Sequence, residues 1–562
     1  MKQMKWCGWG DSDKTFDISN KPTLWRYLVK ATGIADDINR KVPTIPLENI
    51  TLSEPQLNEA FLAELNHVLQ PEQIKQDHYE RLIHTYGKSF RDLWRIRNGI
   101  IPQAPDIVCY PQSEEEVQTI LTAANQCNVV VIPFGGGSNI AGCLEPRQHR
   151  DRMIVSLDMK KMNRVIEVDS YSMIARIQAG TMGPELEKQL NEQGVTLGHF
   201  PDSFEFSSLG GWVATRSAGM QSDKYGKIED MVIALRMITP TGALITRTVP
   251  KSSNGIGINQ LCIGSEGILG VITEVTMQVH HLPRKKEFHG YLFPNFEKGI
   301  AAIYEATSQN VMPSMTRLND ADKTALSFAY KTKGSFFHNL LSNGMKYYLK
   351  WFKKINFDTV CLMLVGFEGN NISSQVKKIN AIYKKMGGVH LGTSPGKSFE
   401  KAKYDFPYFR DFVMDYGVSA DVSETATTWK NILPLYYHAR QSIQQAIAET
   451  GSKSWCGCHI SHTYKTGASL YFTFAFKQSD EVLTQYLRVK KAAEDAFIAC
   501  GSTLSHHHGV GYEHLPWISD DISMIGVKAI QGIKASLDPN NIMNPGKIIP
   551  SDLPLKDWGW TL

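Results

Sequence analysis

Six apolar residues, Val129 to Phe134, run directly into three consecutive glycines. The run is mostly β-branched and bounded by turn residues, so it reads as a buried strand. Gly135, Gly136 and Gly137 permit positive φ and close backbone approach. Consecutive N–H groups of such a loop can point into one concavity and bind an anion, and a pyrophosphate suits it. A plain tight turn would use the same residues. The spacing fits neither the GxGxxG dinucleotide fingerprint nor a Walker A loop, because no Gly-Lys-Ser/Thr follows.

The rest of the chain supports a large globular fold. Its 562 residues are 42% hydrophobic and 21% charged, ordinary for globular proteins and unlike a disordered or collagenous chain. Sixty Lys and Arg against 56 Asp and Glu leave +4, so no global nucleic-acid-binding charge exists. The nine cysteines are scattered without a CxxC pair. They read as reduced and mostly buried, without a zinc site, which points to a reducing compartment. No secretory signal, membrane-spanning run or C-terminal peroxisomal signal is read, and an intracellular, cytoplasmic protein is expected.

Four regions are expected: a helical N-terminal region (1–100), a cofactor domain (101–282), a cap or substrate domain (283–510), and a C-terminal segment returning to the cofactor domain (511–562). Ser113 and Glu116 read as a capping box opening a helix that ends near Cys127. Strands are expected at 153–157, 164–169, 173–179, 268–280, 289–293, 359–366, 455–463 and 468–476. A hairpin is expected around Pro240–Gly242, and 283–286 reads as a basic connector. Helices are expected near 184–193, 296–309, 372–386, 428–450 and 480–500.

Two further loops carry small and hydroxylated residues, Pro201 to Gly219 and Gly264 to Thr273. Three such loops can wrap one long cofactor. In this order they resemble the vanillyl-alcohol oxidase/p-cresol methylhydroxylase family of FAD enzymes. The resemblance implies an α+β architecture: a two-subdomain, PCMH-type FAD-binding domain, an α+β cap and a helical N-terminal region. It implies FAD contacts from Pro133, Phe134, Gly135, Gly136, Gly137, Ser138 and Asn139. Asp202, Ser203, Phe204, Glu205, Phe206, Ser207, Ser208, Thr215, Arg216, Ser217 and Ala218 follow. Glu266, Gly267, Ile268, Leu269, Gly270, Val271 and Ile272 complete the set. Some members attach flavin to a histidine of the first loop; Ser138 and Asn139 stand here, so non-covalent FAD is expected.

His506, His507 and His508 lie far from either terminus. Protonated neighbours repel, which favours neutral bases near pH 7. Adjacent residues rarely all face one ion, so no metal is expected, and acid/base or phosphate contact is the preferred role. A solvated loop is the bland alternative. On 467–476, alternation places Tyr471, Thr473 and Ala475 on one face and Phe472, Phe474 and Phe476 on the other.

With these elements the chain resembles the alkyldihydroxyacetonephosphate synthases. The resemblance runs from Trp6 almost to the end. It implies that Tyr471 accepts a proton, that the three histidines and His199 complete the site, and that Arg410 and Arg317 bind substrate or support activity. A phenolate base needs a lowered pKa, which neighbouring His or Arg would supply. The reaction implied exchanges the acyl group of acyl-dihydroxyacetonephosphate for a fatty alcohol without net redox. Oxidation of a 2-hydroxy acid, or a flavin-free scaffold, are the alternatives. Three positions depart from the family pattern. His459 stands for an arginine, Val422 for a serine, and Gly511-Tyr-Glu-His-Leu for a basic run. Positive charge is thereby lost where a phosphate would sit. Finally, 336–357 reads as an amphipathic helix with Lys346, Lys350, Lys353 and Lys354 on one face, suited to peripheral membrane contact with lipid substrates. A homodimer without nucleic acid is expected.

Overall fold

The computed structural model describes residues 4–146, 151–330 and 356–550. The amphipathic stretch at 336–357 lies outside the described residues, apart from its last two positions.

The apolar run forms strand Val130–Phe134 at the edge of a four-stranded sheet. It pairs in parallel with Ile154–Asp158, which pairs in parallel with Ile107–Cys109. Helix Glu114–Cys127 covers this sheet. Ser113 accepts from the Glu116 N–H at 3.2 Å, but the Glu116 carboxylate accepts from Gln112 rather than from Ser113, so only half of the expected box forms. A five-stranded antiparallel sheet follows, in the order Val165–Asp169, Ile174–Gln178, Val271–Gln278, Val232–Thr239 and Gly242–Ile245. Between residues 540 and 550 the chain comes back here: the Val131 N–H donates to the Ile542 carbonyl, and Asn544 returns the bond.

The third sheet has seven antiparallel strands, in the order Val389–His390, Lys285–Phe293, Cys361–Gly369, Met315–Asn319, Trp455–Thr463, Gly467–Lys477 and Val418–Thr428. Helices Phe296–Ser308, Ser373–Lys385, Ile432–Glu449 and Val482–Ala499 pack on one face. Phe472, Phe474 and Phe476 are fully buried beneath them, where each ring contributes about 2–3 kcal/mol of hydrophobic burial. The opposite face, with Tyr471, Thr473 and Ala475, meets a cavity.

Three of these strands, Met315–Asn319, Val389–His390 and Val418–Thr428, are not expected from the sequence. The supposed connector is also corrected: Lys285 and Lys286 already belong to a strand paired with Glu368 and Gly369. Near the N-terminus, the Trp9 N–H donates to Asp411 Oδ2 at 2.5 Å, and Trp25 packs on Tyr416. All nine cysteines are unpaired and six are buried. No helix among the described residues is long and apolar enough to cross a membrane.

Candidate functional site

The three small-residue loops, the open face of the large sheet and the N-terminal region enclose a single cavity. Gly135, Gly136 and Gly137 line it, and their backbones pack too closely for side chains. A Cβ on Gly135 would run into Ser208 Oγ, and one on Gly136 into the Phe206 carbonyl. Gly137 has φ +66°. Around them the wall includes Pro133, Phe134, Ser138, Asn139, Asp202, Ser203, Ser207, Ser208, Thr215, Ser217, Ala218, Glu266, Gly267, Gly270, Val271 and Ile272.

The remaining expected cofactor contacts lie elsewhere. Phe204 stacks on Trp212 and Tyr404, and Phe206 packs edge-on against Trp9. Glu205 shares their 3-10 turn. Arg216 turns outward to the Gln260 carbonyl, and Ile268 and Leu269 fill the core under the five-stranded sheet. A contiguous segment cannot present every side chain to one ligand; those facing away build the support.

On the sheet, one rung carries the reactive groups. Asn319 pairs with His459, His459 with Tyr471, and Tyr471 with Glu424. Directly opposed residues share a face, so the register of four neighbouring strands sets these groups beside one another. The His459 and Tyr471 rings lie 4.7 Å apart. Further along the same face stand Val422 and Thr473, then Ala420, Ala475 and Trp455.

Glu424 is a functional residue that the sequence reading missed. Its Oε1 accepts from the backbone N–H groups of His506, His507 and His508 at 3.0, 3.0 and 3.1 Å, and from Ser505 Oγ at 2.8 Å. Burial alone would raise its pKa, but the imidazoles of His507, His508 and His506 hold it well below the usual carboxylate range. Glu266, expected to touch cofactor, grips the far end of the same loop, accepting from the Val510 and Gly511 N–H groups at 2.6 and 2.7 Å.

Held this way, His507 and His508 face the cavity, and their rings lie 6.0 and 5.4 Å from Tyr471. His506 does not join them: it bonds Tyr464 Oη at 2.5 Å and stacks on His462. His506 and His508 are held well below the ordinary imidazole value. The direction is as expected, but burial is the largest cause; Lys227 and His507 add to it at His506, while Glu424 opposes it at His508. Two triplets, His462/His506/His507 and Glu424/His507/His508, bring ligand atoms within 4.8 Å of one another. Adjacent histidines therefore converge more than the sequence argument allowed. His199 sits one layer back, bonded through Nε2 to the cavity-lining Ser217 at 3.2 Å, and burial pulls its pKa down to about 3.

Tyr471 departs from expectation. Burial, then Asp202, Glu424 and Asp421, push its phenol well above the ordinary value, and Arg317 opposes them. Arg410 and Arg317 both line the cavity. Arg410 Nη1 donates to the Lys88 carbonyl at 2.5 Å, while its Nε and Nη2 are buried without a protein partner.

Ser265 Oγ and His199 Nδ1 are likewise buried beside the glycine loops without a protein partner. Unmatched donors, a backbone cradle and an elongated cavity fit a cofactor of FAD's shape and polarity. Comparison with known proteins agrees. A model described as FAD binding domain matches residues 105–248, and one described as FAD linked oxidases, C-terminal domain, matches 282–548. The alkyldihydroxyacetonephosphate synthase of Dictyostelium discoideum is 41% identical over 574 residues, covering 98% of this chain and 94% of that protein. A solved structure of an alkyldihydroxyacetonephosphate synthase superposes with a TM-score of 0.83 at 39% identity, covering 97% of this chain and 98% of that one. Substrate-bound p-cresol methylhydroxylase shares the fold, with a TM-score of 0.66 at 14% identity over 91% of this chain and 99% of that one.

Proposed function

We propose, from the premise that this chain belongs to the alkyldihydroxyacetonephosphate synthase family, a division of labour within its cavity. The protein is an FAD-dependent enzyme of ether lipid synthesis. It exchanges the acyl group of acyl-dihydroxyacetonephosphate for a fatty alcohol, without net redox.

The observation that carries the assignment to this cavity is the polarity of one sheet face. The rung Asn319–His459–Tyr471–Glu424 is polar. Beyond it the wall becomes apolar, with Ala420, Ala475, Trp455, Leu28, Leu326 and Phe409. An amphipathic substrate has the same order: a charged head at the chemistry and a long hydrocarbon leading away. Desolvating each methylene of that chain contributes about 0.8 kcal/mol.

The loop from Pro133 to Asn139 would hold the pyrophosphate of FAD. FAD held there would supply an electron-rich ring nitrogen able to act as a nucleophile toward carbon. The protein's own groups move the proton. Tyr471 starts as an un-ionised phenol beside the imidazole of His508, which burial keeps neutral. Its hydroxyl takes the proton from C1 while passing its own to an imidazole, and the reverse transfer follows when the alcohol adds. Arg317 and Arg410 hold the anionic and carbonyl oxygens, and Arg410 has two free donors for this. Oxygen-free incubation of the holoprotein with acyl-dihydroxyacetonephosphate and a fatty alcohol, with no electron acceptor, tests this reading. Alkyl product supports it. Bleaching of the flavin by a 2-hydroxy acid, with no alkyl product, would replace it by an oxidase.

A further inference from the structure

A lysine from another element reaches His459. Lys323 lies in the first turn of helix Ala321–Ala329. Its Nζ stands 2.7 Å from His459 Nδ1 and 5.1 Å from the centroid of the Tyr471 ring. Lys323 is 5% exposed and His459 2%. The path for the lysine is open because position 457 is glycine, where a Cβ would meet the Lys323 stem.

Neither Lys323 nor Arg317 has an ion pair with a carboxylate among the described residues. The neighbouring acid, Asp320, is already committed: Oδ1 accepts from the Lys323 backbone N–H, and Oδ2 from the Cys458 N–H and the Tyr436 hydroxyl. A buried cation without a counterion is costly. Arg317 lines the cavity and Lys323 stands behind His459, with Asp202 on the same wall the acid whose charge reaches both. Two cations facing so little negative charge mark a place where an anion completes the structure.

We propose that Lys323 and His459 act as one cationic unit that, with Arg317, grips the phosphate of the substrate. Lys323 is the positioning residue and His459 the contact. This rests on the reading above that the substrate is a phosphorylated dihydroxyacetone. An ammonium has donors only, so His459 Nδ1 accepts and the ring proton sits on Nε2, the nitrogen left for the cavity that His459 lines. Burial, with Arg317 nearby, brings Lys323 down to about 7. A phosphate dianion would firm up that charge on arrival.

The test uses FAD-loaded wild type, Lys323→Met, His459→Arg and the double variant. Each is titrated with dihydroxyacetone phosphate and followed by calorimetry, alongside anaerobic alkyl formation and flavin content. Lys323→Met should weaken binding by about tenfold or more, with a matching rise in KM for acyl-dihydroxyacetonephosphate. Its kcat should stay within about threefold of wild type. In the double variant the guanidinium carries its own charge, so binding should return to within about threefold of wild type. Unchanged binding in Lys323→Met overturns the proposal. So does a loss that His459→Arg fails to rescue in flavin-loaded protein. If wild type makes no alkyl product while the binding pattern holds, the reaction reading fails and the phosphate contact stands.

Discussion

Glu424 and Glu266 grip one loop from opposite sides, Glu424 on the backbone of His506, His507 and His508 and Glu266 on that of Val510 and Gly511. One carboxylate comes from the large cap sheet and the other from a flavin-side loop, so the histidines are fixed only when both halves of the molecule are in place. Glu424→Gln tests this. An amide keeps one acceptor but turns an N–H₂ group toward the N–H donors. The expected cost is about 1–3 kcal/mol in stability. Turnover should fall by about tenfold or more with FAD retained. Wild-type turnover would show that the clasp does not set the histidines.

Tyr471→Phe removes one oxygen from a rung whose other members stay in place. Alkyl formation is expected to fall by about a thousandfold or more, within the range for general acid–base groups. Flavin absorbance and dihydroxyacetone phosphate binding should be unchanged. Surviving activity would move the base to His507 or His508.

Gly136→Ala places a Cβ against the Phe206 carbonyl, a backbone atom that cannot step aside. The loop must shift, and the purified variant is expected to lose most of its flavin while its far-ultraviolet circular dichroism stays native. Full occupancy would mean that the cradle is wider than described.

Asp223 gives a pH signature. Its Oδ1 accepts from the Thr463 N–H at 2.8 Å, Oδ2 is buried without a partner, and burial pushes the carboxyl up to about 7. A raised pKa means the folded state holds the proton more tightly. The resulting stabilisation is full below the ordinary value of 3.8 and is lost as pH rises through 7. Asp223→Asn is permanently neutral and keeps it. The variant should be more stable than wild type by about 1–3 kcal/mol at pH 8 and nearly equal to it at pH 4.5, as read from urea midpoints. A constant difference across this range would contradict the assignment.

The glycine loop and the phenylalanine row were legible because each follows from local chemistry, positive φ and period-two alternation; the flavin-binding order was legible through the family resemblance of the three loops. Glu424 and Lys323 were not. Each acquires its role only through strand register or a side chain reaching under a neighbouring strand, and single-sequence periodicity carries neither. The local signal for Glu424 lies in VSADVSETATT, whose β-branched residues mark the strand Val418–Thr428. The raised Tyr471 phenol was illegible for a related reason: the acids that push it up, Asp202, Glu424 and Asp421, come from separate segments.

The central claim is that this cavity exchanges one chain for another without net electron flow. The most direct measurement is product stoichiometry in an oxygen-free reaction of the holoprotein with acyl-dihydroxyacetonephosphate and a fatty alcohol. The account predicts one fatty acid released for each alkyl product formed, over many turnovers, with the flavin spectrum fully oxidised at the end. Turnover that stops after one equivalent and leaves reduced flavin until an acceptor is added would contradict it.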